Sequence, residues 1–346
     1  MRRTARTRTP VATVGPRPVG DGEMRAVVQD RYGETDLLRY TNLRVPEARG
    51  GEVLVRVHAA GLDRGTWHLM TGKPYLMRIA GLGLRGPKVR VPGRDVAGTV
   101  AATGPDVTTF AVGDEVYGVA NGSFAEYALA PADKLARKPA DLSFAQAAVV
   151  PISGATALQA LTDHGHLRSG QRVLVIGASG GVGSYAVQIA KALGAEVTGV
   201  ASTAKLDLVR SLGADQVVDY SRDDFSRTGT RYDLILDIAG NPTLPRLRRA
   251  LTPTGTAVIV GGEDGGNLTG GMGRTLRALA RSAVTKQRFA NFINKERASD
   301  LQRLTELIDA GHLTPRIDRT YRLDQVPEAM RHLATGQVRG KIAITI

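Results

Sequence analysis

The chain of 346 residues predicts an α/β protein in two parts, a compact β-barrel-like unit followed by a parallel sheet covered with helices. Three observations predict it. Up to about Pro151 the sequence runs in short apolar alternations broken by glycine and proline, the pattern of closely spaced strands and turns. Beyond that point strand-like runs alternate with helical ones, the pattern of a parallel sheet. The stretch Val173 to Lys191, VLVIGASGGVGSYAVQIAK, joins an apolar run, a glycine cluster and small residues at helical spacing. That is the strand, turn and helix of a dinucleotide-binding unit.

Taken in order, residues 1–23 are rich in Arg, Thr, Pro and Gly and lack the apolar core of a secretory signal, so they read as a disordered tail. From Met24 the runs MRAVVQD, EVLVRVHAAG, DVAGTVAATG, GDEVYGVA and GSFAEYALAP are the barrel strands. The stretch KPYLMRIAGLGLRGPKVRVPG carries Tyr75, Leu76, Met77, Ile79, Leu82 and Leu84 between glycine hinges. It reads as a flap over an apolar substrate, the alternative being an edge helix packed on the barrel. Next, ISGATALQALTDHG, YAVQIAKALG and KLDLVRSLGA are helices, alternating with the strands VLVIGA, EVTGVA, QVVDY, YDLILDIAG and GTAVIVGG. Two further helices, ASDLQRLTELIDAGHL and VPEAMRHLATG, and a last strand, KIAITI, return to the first unit.

No apolar run reaches the roughly 18 residues of a membrane span, and the chain has no cysteine, which excludes disulfides, catalytic thiols and cysteine-held zinc. A cytoplasmic location is expected. The net charge of +13 raises a nucleic-acid reading, with arginines at 2, 3, 6, 8 and 17 and a second cluster of Arg274, Arg277, Arg281, Lys286, Arg288, Lys295 and Arg297. Only Phe289 and Phe292 interleave the second cluster, so a solvated basic face that draws in an anionic cofactor is preferred over nucleic acid.

Gly177, Gly180, Gly181 and Gly183 let backbone amides approach a pyrophosphate at the positive end of the following helix. The second strand, Glu196 to Ala201, continues into Ser202, Thr203 and Lys205 where an NAD-binding chain carries an acid. Two hydroxyls and a cation suit a 2′-phosphate, which points to NADP(H). Ser202 and Thr203 are also good caps for the next helix, and the two uses are compatible.

The motifs PGRDVAGTV, VGDEVYG, GSFAEYALAP, SGATAL, GQRVLVIGASGGVGSYAVQIAK, SLGADQVVDY and RGKIAITI make the chain similar to medium-chain dehydrogenase/reductases, in the zinc-independent quinone oxidoreductase branch that includes zeta-crystallin. The resemblance covers nearly everything after Met24. It implies a GroES-like β-barrel substrate domain, 24–150 completed by 287–346, and a Rossmann doubly wound parallel-sheet cofactor domain, 151–286. It places the pyrophosphate on Ser179, Gly180, Gly181, Val182 and Gly183, and the 2′-phosphate on Ser202, Lys205 and Tyr220. Thr156 falls near the nicotinamide ribose, Ala239, Gly240, Gly261 and Gly262 at strand ends, and Lys341 as a basic residue reaching the cofactor from the last segment. The segment 287–293, QRFANFI, resembles the edge strand through which relatives form homodimers.

In zinc-bearing relatives the catalytic metal takes cysteine and histidine at positions that match Asp63 and Arg94, and a guanidinium cannot ligate zinc. A site made of Asp63, His68 and Asp95 is conceivable by ligand type, but no metal is expected. The resemblance therefore implies NADPH-dependent reduction of a quinone or an α,β-unsaturated carbonyl compound, with candidate catalytic residues Asp63, Thr66 and His68. Quinone oxidoreductases carry Asn and Tyr at the positions of Asp63 and His68, so this chain departs at both. Asp63 is also expected to orient Arg94 or Trp67. Two other readings stay open, an NADP-dependent alcohol or aldehyde dehydrogenase and a cofactor-binding regulatory or RNA-binding protein.

Overall fold

The computed structural model describes residues 22–76, 78–79, 83–84, 86–239, 242–261, 266, 278 and 285–346. Residues 1–21 of the tail, and Met77, Leu82, Gly240, Gly262, Arg274, Arg277 and Arg281, lie outside the described residues.

The first strand begins at Glu23: β1 (Glu23–Val28) pairs antiparallel with β2 (Arg39–Arg44). The barrel sheet follows with β3 (Glu52–Leu62), β4 (Asp95–Thr103), β5 (Glu115–Val119), β6 (Tyr127–Pro131) and β7 (Leu135–Arg137). The parallel sheet is built from β8 (Arg172–Ile176), β9 (Glu196–Ala201), β10 (Gln216–Asp219), β11 (Tyr232–Asp237), β12 (Leu251–Ile259) and β13 (Arg288–Asn291). Its order is β10-β9-β8-β11-β12-β13, so the chain winds outward from β8 in both directions. The last two strands, β14 (Ile317–Arg322) and β15 (Lys341–Thr345), rejoin the barrel in the order β14-β15-β3-β4-β5-β7, with β6 on β3.

Eight α-helices are described: α1 (Arg64–Thr71), α2 (Phe144–Ala148), α3 (Pro151–Gln159), α4 (Gly181–Ala192), α5 (Leu206–Ser211), α6 (Leu244–Ala250), α7 (Ala298–Asp309) and α8 (Val326–Ala334). The central strand β8 buries Val173, Leu174, Val175 and Ile176 because helices cover both faces of a parallel sheet. On α4 the residues Tyr185, Ala186, Val187, Ile189 and Ala190 are all buried, which the small side chains permit at close range to the sheet. The capping box of Ser143 and Gln146 starts α2.

The domain boundary expected at 287 lies further along. Strand β13 pairs in parallel with β12, Phe289 opposite Ala257, so 288–291 form the sixth strand of the cofactor sheet rather than part of the barrel. Leu301, Leu304 and Ile308 of α7 join the core around Val175 and Leu236. The chain crosses back to the barrel only at β14. The same core takes in Ala59, Ala97 and Tyr117 from barrel strands. Tyr117 is fully buried, and its hydroxyl donates to the Leu301 carbonyl at 2.7 Å.

Candidate active site

Strand β8 ends in a turn built for an anion. Gly177 has φ +88°, and a Cβ on Gly183 would lie 2.1 Å from the Gly177 carbonyl oxygen, so the helix approaches the strand only because both residues are glycine. The Ser184 amide bonds the Gly180 carbonyl at 2.9 Å. The amides of Gly181, Val182 and Gly183 precede it, among those a helix leaves without intrahelical partners. Ala239 packs on this turn from the end of β11, its N–H on the Ile176 carbonyl at 3.2 Å. Gly261 sits where a Cβ would meet the Ile238 carbonyl oxygen at 2.0 Å. These residues surround the switch point between β8 and β11, where doubly wound sheets bind nucleotides. A dinucleotide fits this turn, because the cradle is one that side chains would fill.

Beyond β9 the expected phosphate ligands separate. Lys205 donates to the carbonyls of Gly336 and Val338 at 2.9 and 3.0 Å. The Thr203 hydroxyl is committed to the Asp219 carboxylate at 2.5 Å, and Ser221 donates to the same side chain through its N–H and hydroxyl. Bonds from Ser221 first, then Thr203, hold Asp219 below the ordinary carboxylate range. Neither Ser202 nor Thr203 makes the expected helix cap: Ser202 stands at an N-cap without a side-chain bond, and the N-cap of α5 is Lys205. Tyr220 is 64% exposed at the end of β10.

On the barrel side, Asp63 caps α1, accepting from the Thr66 amide at 2.7 Å and the Thr66 hydroxyl at 3.1 Å. Both side chains are buried. The His68 Nδ1–H donates to the Lys73 carbonyl at 2.8 Å, and its ring meets Trp67 edge-on. Arg94 is not oriented by Asp63; it pairs with Glu296 at 2.7 Å, because Glu296 follows β13 at the domain junction. Arg94 and Asn121 bring polar groups to a cavity of about 220 Å³ walled by Leu69, Met70, Val89 and Val91. The stretch after α1 supplies part of that wall. Leu76, Arg78 and Ile79 are helical, Tyr75, Ile79 and Leu84 stand exposed, and Arg78 lies over the rings of Tyr32 and Tyr75.

Asp95, Ser153 and Lys341 link the two halves. Lys341 does not reach an open surface: its ammonium donates to Asp95 at 3.3 Å and to Ser153 at 2.9 Å, behind Gly181. The other Asp95 oxygen accepts the Ile152 amide at 2.9 Å. Burial pushes the Asp95 carboxyl up to about 7, against the pull of Lys341 and with a push from Asp63. Thr156 turns its hydroxyl back onto the Ile152 carbonyl at 2.7 Å.

Comparisons with known proteins match the fold described above. A family model described as alcohol dehydrogenase GroES-like domain matches residues 49–140, and one described as zinc-binding dehydrogenase matches 212–344. The mitochondrial NAD(P)H oxidoreductase RTN4IP1 of Mus musculus is 32% identical over 100% of this chain and 95% of its own length. The chain belongs to the medium-chain dehydrogenase/reductases. Within that superfamily it falls in the zinc-independent quinone oxidoreductase branch. The structure of the quinone oxidoreductase from Coxiella burnetii superposes with a TM-score of 0.82 at 30% identity, covering 94% of this chain and 99% of that one. The chloroplastic NADPH-dependent alkenal/one oxidoreductase of Arabidopsis thaliana is 32% identical over 93% of this chain and 79% of its own length.

The residues present do not suit the metal in the second model's description. There is no cysteine, a guanidinium stands at 94, and Asp63, His68 and Asp95 are each engaged with protein groups. Among the described residues no group of three or more potential ligands could hold a metal ion. In this medium-chain reductase the residues that composition and motif reading missed are the polar lining of the cavity, Gln29, Tyr32, Lys88, Arg94 and Asn121. The only signal for Arg94 was the cation lodged in PGRD.

Proposed function

We propose that the protein is an NADPH-dependent oxidoreductase that reduces quinones or α,β-unsaturated carbonyl compounds without a metal. The observation that carries the reading is Arg94 in the lining of a largely apolar cavity, in a chain whose turn after β8 suits a pyrophosphate. The bound NADPH supplies a hydride. Reduction of an enone places that hydride on the β-carbon, moves the C=C electron pair toward the carbonyl oxygen, and ends with a proton on the α-carbon. A fixed guanidinium beside that oxygen stabilises the charge as it develops, the part a Lewis acid plays elsewhere. Leu69, Met70, Val89 and Val91 hold the carbon skeleton and exclude water. Asp63 and Thr66 lock the start of α1, and so position Trp67 and His68 without touching substrate. The alkenal/one oxidoreductase and quinone oxidoreductase relatives support this reading over an alcohol dehydrogenase.

The test is NADPH consumption against a panel of quinones, enones and saturated aldehydes, with and without chelator, and repeated with NADH. Chelator-resistant, NADPH-selective turnover of quinones or enones is expected; turnover confined to saturated aldehydes or dependent on zinc overturns the proposal. The proposal includes a cytoplasmic location and a homodimer through 287–293. Strand β13 lies at the edge of the cofactor sheet, where an unpaired edge favours pairing with a second copy. Light scattering that finds only monomer at micromolar concentration removes the dimer. No described helix is long and apolar enough to cross a membrane.

A further inference from the structure

The turn between α8 and β15 touches both ends of the cofactor-binding surface. At one end the carbonyls of Gly336 and Val338 accept from Lys205 at 2.9 and 3.0 Å. At the other the Gly340 amide donates to the Ser179 carbonyl at 2.8 Å, on the pyrophosphate turn itself. Arg339 lies between these two anchors, so its backbone is fixed across the gap that separates Lys205 from the glycine turn. Its side chain is exposed, and among the described residues it has no hydrogen-bond or ion-pair partner.

We propose that Arg339 is a second cation of the 2′-phosphate site, supplied by the barrel segment, and that it sets the preference for NADPH over NADH. The inference rests on the cofactor reading above. An ammonium has three donors, and two from Lys205 are spent on carbonyls, which fix the side chain while leaving one for an anion. Thr203, committed to Asp219, does not make up the difference. A guanidinium does, because its fork of donors matches phosphate oxygens. The charges agree. Burial first, and then the like charge of Arg339, hold Lys205 below the ordinary lysine range, while Asp318 acts in the opposite sense. Asp318 is itself engaged with His332 at 3.4 Å. A dianion between Lys205 and Arg339 relieves the repulsion between them.

The experiment titrates NADPH and NADH against the full-length protein by nicotinamide fluorescence, for the wild type, Arg339→Gln, Arg339→Lys and Lys205→Gln, with a thermal melt of each. Arg339→Gln is expected to weaken NADPH by about tenfold to a hundredfold while leaving NADH within about twofold, the worth of one charge-assisted contact. Arg339→Lys should recover part of the loss. An Arg339→Gln protein that keeps the wild-type ratio of the two affinities, while Lys205→Gln loses it, overturns the role of Arg339 alone. A wild type that binds NADH as tightly as NADPH overturns the cofactor reading, and this inference with it.

Discussion

Lys341 Nζ stands 3.3 Å from Asp95 Oδ2, both side chains are buried, and the two residues are 246 apart in sequence. The pair joins the last strand to the strand that follows PGR. Through Ser153 and Ile152 it also joins the barrel to the cofactor domain. Two charges removed from water are costly unless each keeps its partner.

The first prediction concerns pH. The Asp95 carboxyl rises from 3.8 to about 7 on folding, so the native state holds a proton that the unfolded chain has released. Its contribution is fully present below pH 3.8 and is lost as pH rises through about 7, which makes stability fall across that window. Urea unfolding at intervals from pH 5 to pH 8 should show the fall in the wild type and a flatter profile in Asp95→Asn.

Removing the cation should steepen that dependence. Lys341→Met leaves Asp95 without its counter-charge, at a cost of about 3–5 kcal/mol near pH 8. The loss should shrink near pH 5, where the acid is protonated. Equal losses at both pH values would show that packing, not charge, is what the lysine contributes.

Two neighbouring glycines should respond differently to alanine. A Cβ on Gly183 meets the Gly177 carbonyl oxygen at 2.1 Å, whereas one on Gly180 finds its nearest atom at 3.5 Å. Gly183→Ala should therefore lose about 1–3 kcal/mol by overpacking and lose NADPH binding as the helix is pushed off the strand. Gly180→Ala should change stability by less than about 0.5 kcal/mol. Calorimetric melts with and without NADPH read both effects.

Replacing the guanidinium should separate chemistry from cofactor binding. Arg94→Gln should lower kcat by about a hundredfold to a thousandfold, the scale of a lost oxyanion donor. The NADPH dissociation constant should stay within about twofold, since Arg94 bonds Glu296 and faces the cavity rather than the glycine turn. An unchanged kcat would remove Arg94 from the reaction.

Much of this molecule could be read along the chain. The run Val173 to Ile176 is apolar throughout because both faces of β8 are covered, and the glycines after it have few other uses. What escaped was decided by distant partners. Thr203 looks like a phosphate ligand until Asp219, sixteen residues later, takes its hydroxyl. The four residues of β13 have no pattern that assigns them to either sheet, and only their register with Thr256 to Ile259 does so. Arg94 could be judged unfit for zinc from its chemistry alone, but its place beside Met70 and Asn121 depends on strands far apart in the chain.

The Tyr117 hydroxyl, lodged on the Leu301 carbonyl, has a consequence for anyone who would divide this protein. A cofactor half excised at residue 151 would keep α7 but lose the tyrosine, and Ala59 and Ala97 with it, opening a hole in its own interior. The two halves are not portable modules. Chimeras that graft a relative's barrel onto this sheet must import a matching phenol, or carry the α7 surface along with it.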